Sequence, residues 1–171
     1  MTALLGSMIH QAPTDAESVL ALERQARMEG SGLSADQLEG CWQLQQTWSR
    51  RGTAPPSLSL SLLRALRACL VLKAQPDGLA IANQVSLGAV LLRFDGTAAL
   101  RGRRPLLTFQ FTSMRLRIGA LTLLERTLPE PSPERQPFFA LIAQGPEASW
   151  LCARGRGGGL AVWIRDTTPD R

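Results

Sequence analysis

Apolar residues follow two different spacings along the chain. Near the N-terminus, Val19, Leu22, Ala26 and, less regularly, Met28 fall on one helical face, which predicts an amphipathic helix over residues 15–29. Further along, apolar and polar residues alternate in short runs, as they do in strands with one buried face. The pattern therefore predicts one helix followed by a mainly β domain.

Residues that favour helix ends flank the predicted helix. Thr14 has the position of an N-cap, and Glu17, three residues on, has that of the acidic partner in a capping box. Glycines at 30 and 32 end the helix, and Ser34–Gln37 can open a second short helical turn.

The first strand begins near Leu38, and its alternation predicts one buried face and one polar face. Segment 57–72 fits either period. We expect a short helix from about Leu58 to Ala68 and then a strand at Cys69–Ala74. The residues expected on the buried face of the first strand are Leu38, Gly40, Trp42, Leu44, Gln46 and Trp48.

Glycine-containing turns separate the remaining strands. Pro76-Asp77-Gly78 and Asp95-Gly96 predict hairpins because glycine readily adopts positive φ, and Gly102 and Gly119 mark weaker turns. A proline-rich loop follows at 129–137. The predicted strands are Leu79–Leu87, Ala89–Phe94, Ala98–Arg101, Leu106–Thr112, Met114–Ile118, Leu121–Arg126, Phe138–Gln144, Ser149–Arg154 and Leu160–Arg165.

The apolar positions change parity within the central strands. They are odd-numbered up to Phe111 and even-numbered from Met114, which predicts a bulge or bend near Thr112-Ser113. Sheets use such bends to close. Nine or ten short strands at near-regular spacing predict an antiparallel barrel or sandwich rather than a βαβ sheet, and of these we favour a lipocalin-like β-barrel. The expected organisation is a flexible N-terminus (1–13), a helix and linker (14–34), the barrel (35–166) and a tail (167–171).

Composition points to binding rather than catalysis. The chain has 171 residues, 44% of them hydrophobic and 19% charged, which is a globular composition. It has one histidine, His10, and no tyrosine, and it lacks a nucleophile elbow or a phosphate loop. The carboxylates are scattered. We therefore expect no catalytic residues, no metal site and no cofactor beyond a possible bound apolar molecule.

The three cysteines, Cys41, Cys69 and Cys152, fit neither a disulfide framework nor a zinc site, and buried thiols in a reducing compartment are expected. The N-terminus lacks the pattern of a signal or transit peptide, and no apolar run is long enough to span a bilayer. A cytoplasmic or membrane-peripheral location follows as an expectation.

Arginines dominate the positive charge of +5, which suits anionic partners such as nucleic acid, acidic proteins or anionic lipid head groups, although we favour a solvated arginine-rich surface. Arg115 and Arg117 alternate with apolar residues and should face outward, on a solvated surface, an anionic membrane or an oligonucleotide. The segment Arg154–Gly159 fits either a nucleic-acid-binding RGG-like tract or, as we favour, a hairpin between two apolar strands.

Gly40-Cys41-Trp42 opens the first long strand. In lipocalin-like folds a tryptophan here plugs the closed end of the barrel, and an arginine from the last strands packs across it. Arg154 and Arg165 are the candidates for that arginine. Alternatively, Trp42 is simply a core aromatic residue.

Three segments together resemble the plastid lipid-associated proteins, or fibrillins. Leu38–Leu44 is similar to the family's opening strand, and Ile81–Val85, with Asn83 among apolar residues, to its middle strand. Ser149–Trp163, with Arg154 and Gly155 at its turn, is similar to the closing motif.

The resemblance implies a lipocalin-like barrel that binds carotenoids, quinones or other lipids near thylakoids or lipid droplets, in plants or cyanobacteria. An apolar ligand would sit in the barrel mouth, and no catalytic residues are implied. Two alternatives stay open: a bilin-lyase-like barrel that handles a chromophore, and a basic oligonucleotide-binding barrel. The residues expected to line the site are Trp42, Leu44, Phe109, Phe111 and Trp163.

Overall fold

The computed structural model describes residues 11–50 and 68–167. Within these ranges, two α-helices precede nine strands. The helices are α1 (Ala16–Glu29) and α2 (Ala35–Leu38); the strands are β1 (Gly40–Trp48), β2 (Cys69–Gln75), β3 (Gly78–Leu87), β4 (Val90–Arg101), β5 (Leu106–Ile118), β6 (Leu121–Thr127), β7 (Phe138–Gln144), β8 (Trp150–Gly155) and β9 (Leu160–Asp166).

Eight of these strands close an antiparallel barrel in the order β1-β2-β3-β4-β5-β7-β8-β9, with β9 pairing back to β1. Strand β5 pairs with β4 along one edge, and it is long enough for its other edge to pair with two strands. Its first residues pair with β7, and its second half, from Ser113, pairs with β6. The predicted mainly β, lipocalin-like barrel with an N-terminal helix is confirmed. Among the described residues, no helix is long and apolar enough to cross a membrane.

Helix α1 lies on the outer face of the barrel wall formed by β7, β8, β9 and β1. Its buried Val19 belongs to a cluster with outward-facing residues of these strands. Strand β8 consequently has a core on each side, and Trp150–Ala153 are all buried. The strand residues of this outer cluster are Trp48, Ile142, Trp150, Cys152, Leu160 and Val162.

The predicted helix is present, but some of its details were wrong. Asp15, not Thr14, is the N-cap, because its carboxylate accepts a hydrogen bond from the Ser18 backbone at 2.8 Å. Met28 is 77% exposed. Glu23, a charged residue, is instead buried beneath the helix.

Four register shifts interrupt the ladders, and two of them test the alternation predicted from the sequence. In the β4–β5 ladder the register jumps from Ser113 to Phe111, so Thr112 is the extra residue, as predicted. An unpredicted bulge lies between Leu44 and Gln46 in β1. It reverses the alternation, and Trp48 packs in the outer cluster rather than on the same face as Trp42.

Asp95-Gly96 does not form the predicted hairpin. Both residues lie inside the long strand β4, opposite the bulge in β5. Glycine is needed at 96 because a Cβ there would overlap the backbone of Gln110. The turn before β4 is formed instead around Gly88, at φ +57°. The hairpins predicted at Pro76-Asp77-Gly78, Gly102 and Gly119 are present.

The cysteine prediction was also wrong. Cys41 and Cys69 form a disulfide, with Cα atoms 6.4 Å apart, and only Cys152 is a free, buried thiol. Because Cys41 lies opposite Val71 and Gln43 opposite Cys69, the two cysteines are diagonal neighbours on one face of the β1–β2 pair. The helix predicted from Leu58 to Ala68 falls, up to residue 67, outside the described residues.

Candidate functional site

The end of the barrel at which β1 begins is filled by side chains. Trp42 is fully buried and donates a hydrogen bond from its indole Nε1 to the Leu38 carbonyl oxygen at 2.8 Å. The guanidinium carbon of Arg165 lies 5.2 Å from the Trp42 ring centroid, and Arg165 also donates to the Glu39 carbonyl. The predicted cation–π contact is therefore made by Arg165 and not by Arg154.

Gly40 makes room for this contact. Its φ is +143°, and a Cβ at this position would lie 2.9 Å from the Arg165 guanidinium. Glycine at the start of β1 thus allows the arginine to cover the tryptophan that closes this end.

The other half of the barrel contains a cavity of about 360 Å³, near the lower end of the range for small-molecule pockets. Its lining is mostly apolar, with the Thr47 hydroxyl and the Asn83 amide as polar groups. The lining residues are Leu44, Thr47, Ala68, Cys69, Leu70, Asn83, Val85, Phe109, Phe111, Phe139, Ala161 and Trp163.

Aromatic rings form a continuous row along the inner wall. Successive ring centroids from Phe94 through Phe111, Phe109 and Phe139 to Trp163 are 5.7, 5.5, 5.1 and 5.3 Å apart. The Phe109–Phe139 pair is stacked, and the Phe139–Trp163 pair meets edge to face. These geometries are favourable for aromatic pairs, and they present flat apolar surfaces to the cavity.

Beyond the cavity, β3–β6 extend further and carry exposed apolar side chains, which we call the apolar rim. The inner-facing positions of β3 continue from Val85, which lines the cavity, to Leu87, which belongs to the rim. The cavity wall thus continues onto the rim at Leu87. The rim residues, each 39–64% exposed, are Leu87, Val90, Ile118, Leu121, Leu123 and Leu124.

The structure brings together four of the five residues predicted to line a site. Leu44, Phe109, Phe111 and Trp163 line the cavity, whereas Trp42 lies in the filled end. Whether they contact a ligand stays a prediction.

Sequence reasoning missed most of the other lining residues, among them Val85 and Phe139. The adjacent aromatics Phe138 and Phe139 give no parity signal, so their faces depend on pairing with β5 and β8. Of the motif residues, Asn83 lines the cavity, and Gly155 ends β8.

Arg154 does not pack across Trp42 and instead binds a carboxylate on α1. Its guanidinium binds both carboxylate oxygens of Glu23 on α1, Nε to Oε1 at 2.8 Å and Nη2 to Oε2 at 2.6 Å. Arg104 and Arg27 bind the same carboxylate at 2.8 and 3.2 Å. Hydrogen bonding from Arg154 lowers the pKa of Glu23 to about 2, against the opposing effect of burial.

Arg154–Gly159 forms the favoured tight hairpin between β8 and β9, with the Gly155 backbone NH donating to the Gly159 carbonyl at 2.8 Å. Cys152 lies beneath α1, where burial raises the pKa of its thiol to about 12. Among the described residues, no group of three or more His, Cys, Asp and Glu side chains is placed to hold a metal ion.

The fold and cavity define a closed eight-stranded antiparallel barrel of lipocalin-like architecture, with one filled end and one apolar cavity. No family model matches the chain, and no curated protein matches its sequence.

Proposed function

We propose that this barrel binds and carries an apolar small molecule, of the carotenoid, quinone or lipid class, and that it acts without catalysis. The observation that carries the proposal is the aromatic-walled cavity leading onto the apolar rim. Burying apolar surface is worth about 25 cal/mol per Å², so a largely apolar lining supplies affinity. Thr47 and Asn83 can orient a polar head group.

The cavity volume bears on how a long ligand would bind. A space of about 360 Å³ suits a ring or head group rather than an entire long polyene or isoprenoid molecule. The remainder would lie along the rim, where Leu87 and Val90 continue the inner surface. We propose that the protein is related to the fibrillins. The three segments that resemble the family and the Trp42–Arg165 contact support this proposal.

Tryptophan fluorescence tests this binding site directly. Of the four tryptophans, Trp163 lines the cavity, whereas Trp48 and Trp150 lie in the outer cluster. Titration with a quinone should quench fluorescence in the wild type. We expect Trp163→Phe to remove most of the quenching and Trp150→Phe, the matched control, to keep it.

A second variant fills the cavity. Ala161→Leu adds volume at a lining position and should weaken ligand binding, whereas Ala99→Leu, in β4 but not among the lining residues, should not. Native mass spectrometry and an absorbance spectrum on protein from its own host would identify a bound molecule. Absence of any bound or titratable quinone, carotenoid or lipid would contradict the carrier function.

We further propose that the rim contacts an anionic membrane surface when ligand is exchanged. Arg117 and Arg126 lie on β5 and β6, the strands that carry most of the rim. Leu121→Ser with Leu124→Ser should reduce flotation with phosphatidylglycerol vesicles. The control Met28→Ser, at a still more exposed apolar position on α1, should not.

A further inference from the structure

Five arginines surround a groove on the outside of the barrel, which shares no lining residue with the cavity and lies on the opposite face of β7. The groove has a volume of about 670 Å³ and lies between α1, the β4–β5 turn, β7 and the β8–β9 hairpin. Its arginines are Arg27, Arg50, Arg104, Arg154 and Arg156.

The arginines of the groove carry more positive charge than the one carboxylate that they bind can balance. Glu23 is the carboxylate bound by Arg27, Arg104 and Arg154. Among the described residues, Arg50 and Arg156 have no carboxylate within salt-bridge distance. Five positive side chains and one negative one leave a net charge of +4, which attracts an anion.

Hydrogen-bond donors are also left over. Each guanidinium has five N–H groups, and Glu23 accepts only four hydrogen bonds from this cluster. The Nε of Arg104 is buried and has no hydrogen-bond partner among the described residues. A buried donor without an acceptor is costly, so an acceptor bound in the groove would be favoured.

Two features of the groove favour anion binding: fixed arginine side chains and a partly apolar wall. Arg156 is fixed by donating to the backbone carbonyls of Gln136 and Glu134, and Arg154 also donates to the carbonyl of Gly158. The apolar residues Leu106, Phe138 and Ala140 form part of the wall. Apolar surroundings strengthen charge attraction, and guanidinium groups match the oxygens of a phosphate in pairs.

We propose that this groove binds a phosphate group, carried either by a free phosphate compound or by a lipid head group. Arg50 and Arg156 are the diagnostic residues, because neither takes part in the Glu23 cluster that fastens α1. The site is separate from the apolar cavity, so its failure would leave the carrier proposal untouched, and the reverse also holds.

Thermal unfolding with inorganic phosphate, at ionic strength held constant with sodium chloride, provides the test. A ligand that binds only the folded state raises Tm with its concentration. Arg50→Gln and Arg156→Gln should each weaken phosphate affinity by about tenfold, the effect of one charge-assisted hydrogen bond. Arg24→Gln, an exposed position on α1 that does not line the groove, is the matched control and should bind as the wild type does.

A second measurement separates the two sources of phosphate. Binding of glycerol phosphate that depends on Arg50 supports a free compound. Flotation with phosphatidic acid vesicles, but not with phosphatidylcholine vesicles, supports a lipid head group if Arg50→Gln weakens it. The proposal is overturned if neither phosphate nor phosphatidic acid binds, or if Arg24→Gln weakens binding as much as Arg50→Gln and Arg156→Gln do.

Discussion

Strands β8 and β6 both carry apolar runs, but they occupy opposite environments. In β8, Trp150, Leu151 and Cys152 are each no more than 2% exposed. In β6, Leu121, Leu123 and Leu124 are 45–64% exposed, and no residue of the strand is buried. The difference comes from the neighbours of each strand. The core covers β8 on the inside and α1 covers it on the outside, whereas within the described ranges β6 pairs with β5 alone.

The two regions differ in whether their apolar residues are packed or exposed. The wall under α1 is packed on both faces and held by the Glu23 cluster, so it stabilises the fold. In the β3–β6 extension, the apolar residues of the rim are instead exposed on an open surface. Large exposed apolar patches on soluble domains generally mark interaction sites.

The largest expected difference is between truncations in these two strands. Leu151→Ala should cost about 4 kcal/mol of unfolding free energy, because it leaves a void in a packed core. Leu121→Ala should change stability by no more than about 0.5 kcal/mol, as at other exposed positions. Urea unfolding of the two variants measures both values, and equal losses would remove the distinction between the walls.

Removing the carboxylate beneath α1 comes next. Glu23→Ala leaves Arg27, Arg104 and Arg154 without their shared partner, which should cost about 3 kcal/mol. Glu17→Ala, on an exposed face of the same helix, is the control. Chemical denaturation gives the values, and a Glu23→Ala protein as stable as Glu17→Ala would show that the cluster does not fasten the helix.

The same carboxylate predicts a pH dependence. The pKa of Glu23 is lowered from 4.5 to about 2 in the folded protein, so its contribution is fully present above about pH 4.5. It is lost as the pH falls towards 2, when the folded form also takes up the proton. Stability measured from pH 5 to pH 2 should therefore fall less steeply in Glu23→Ala than in the wild type.

Local signals predicted much of the barrel. The Pro76-Asp77-Gly78 turn and the parity change at Thr112 could be predicted because a few adjacent residues determine them. The same alternation placed Phe109 and Phe111 on the cavity wall. These features need only the two-residue period of a strand and the conformational freedom of glycine.

Other features depend on residues far apart in the chain. Asp95-Gly96 has the composition of a turn, but pairing with β5 keeps it inside a strand. Glu23 interrupts an apolar helical face and is compensated by Arg154, 131 positions away. Neither partner can be identified before the barrel register is known.

The Cys41–Cys69 disulfide joins β1, which α1 covers, to β2, which it does not. Its removal should cost about 2–4 kcal/mol, since it closes a loop of 28 residues in the unfolded chain. Urea unfolding of the Cys41→Ser, Cys69→Ser double variant measures the loss. Thiol titration of denatured, unreduced protein should find one free thiol, that of Cys152, and three thiols before reduction would contradict the pairing.

The smallest of these effects is expected at the filled end of the barrel, where β1 begins. Gly40→Ala must place a Cβ at φ +143° and 2.9 Å from the Arg165 guanidinium, which should cost about 1–2 kcal/mol. It should also displace Arg165 from Trp42 and so change the tryptophan emission spectrum. Gly157→Ala, in the β8–β9 turn with open space around it, should leave both stability and emission unchanged. Gly40→Ala could instead match Gly157→Ala in both stability and emission. The side chains at the filled end would then be less tightly packed than the structure indicates, and the contrast between a packed wall and an open rim would not extend to that end.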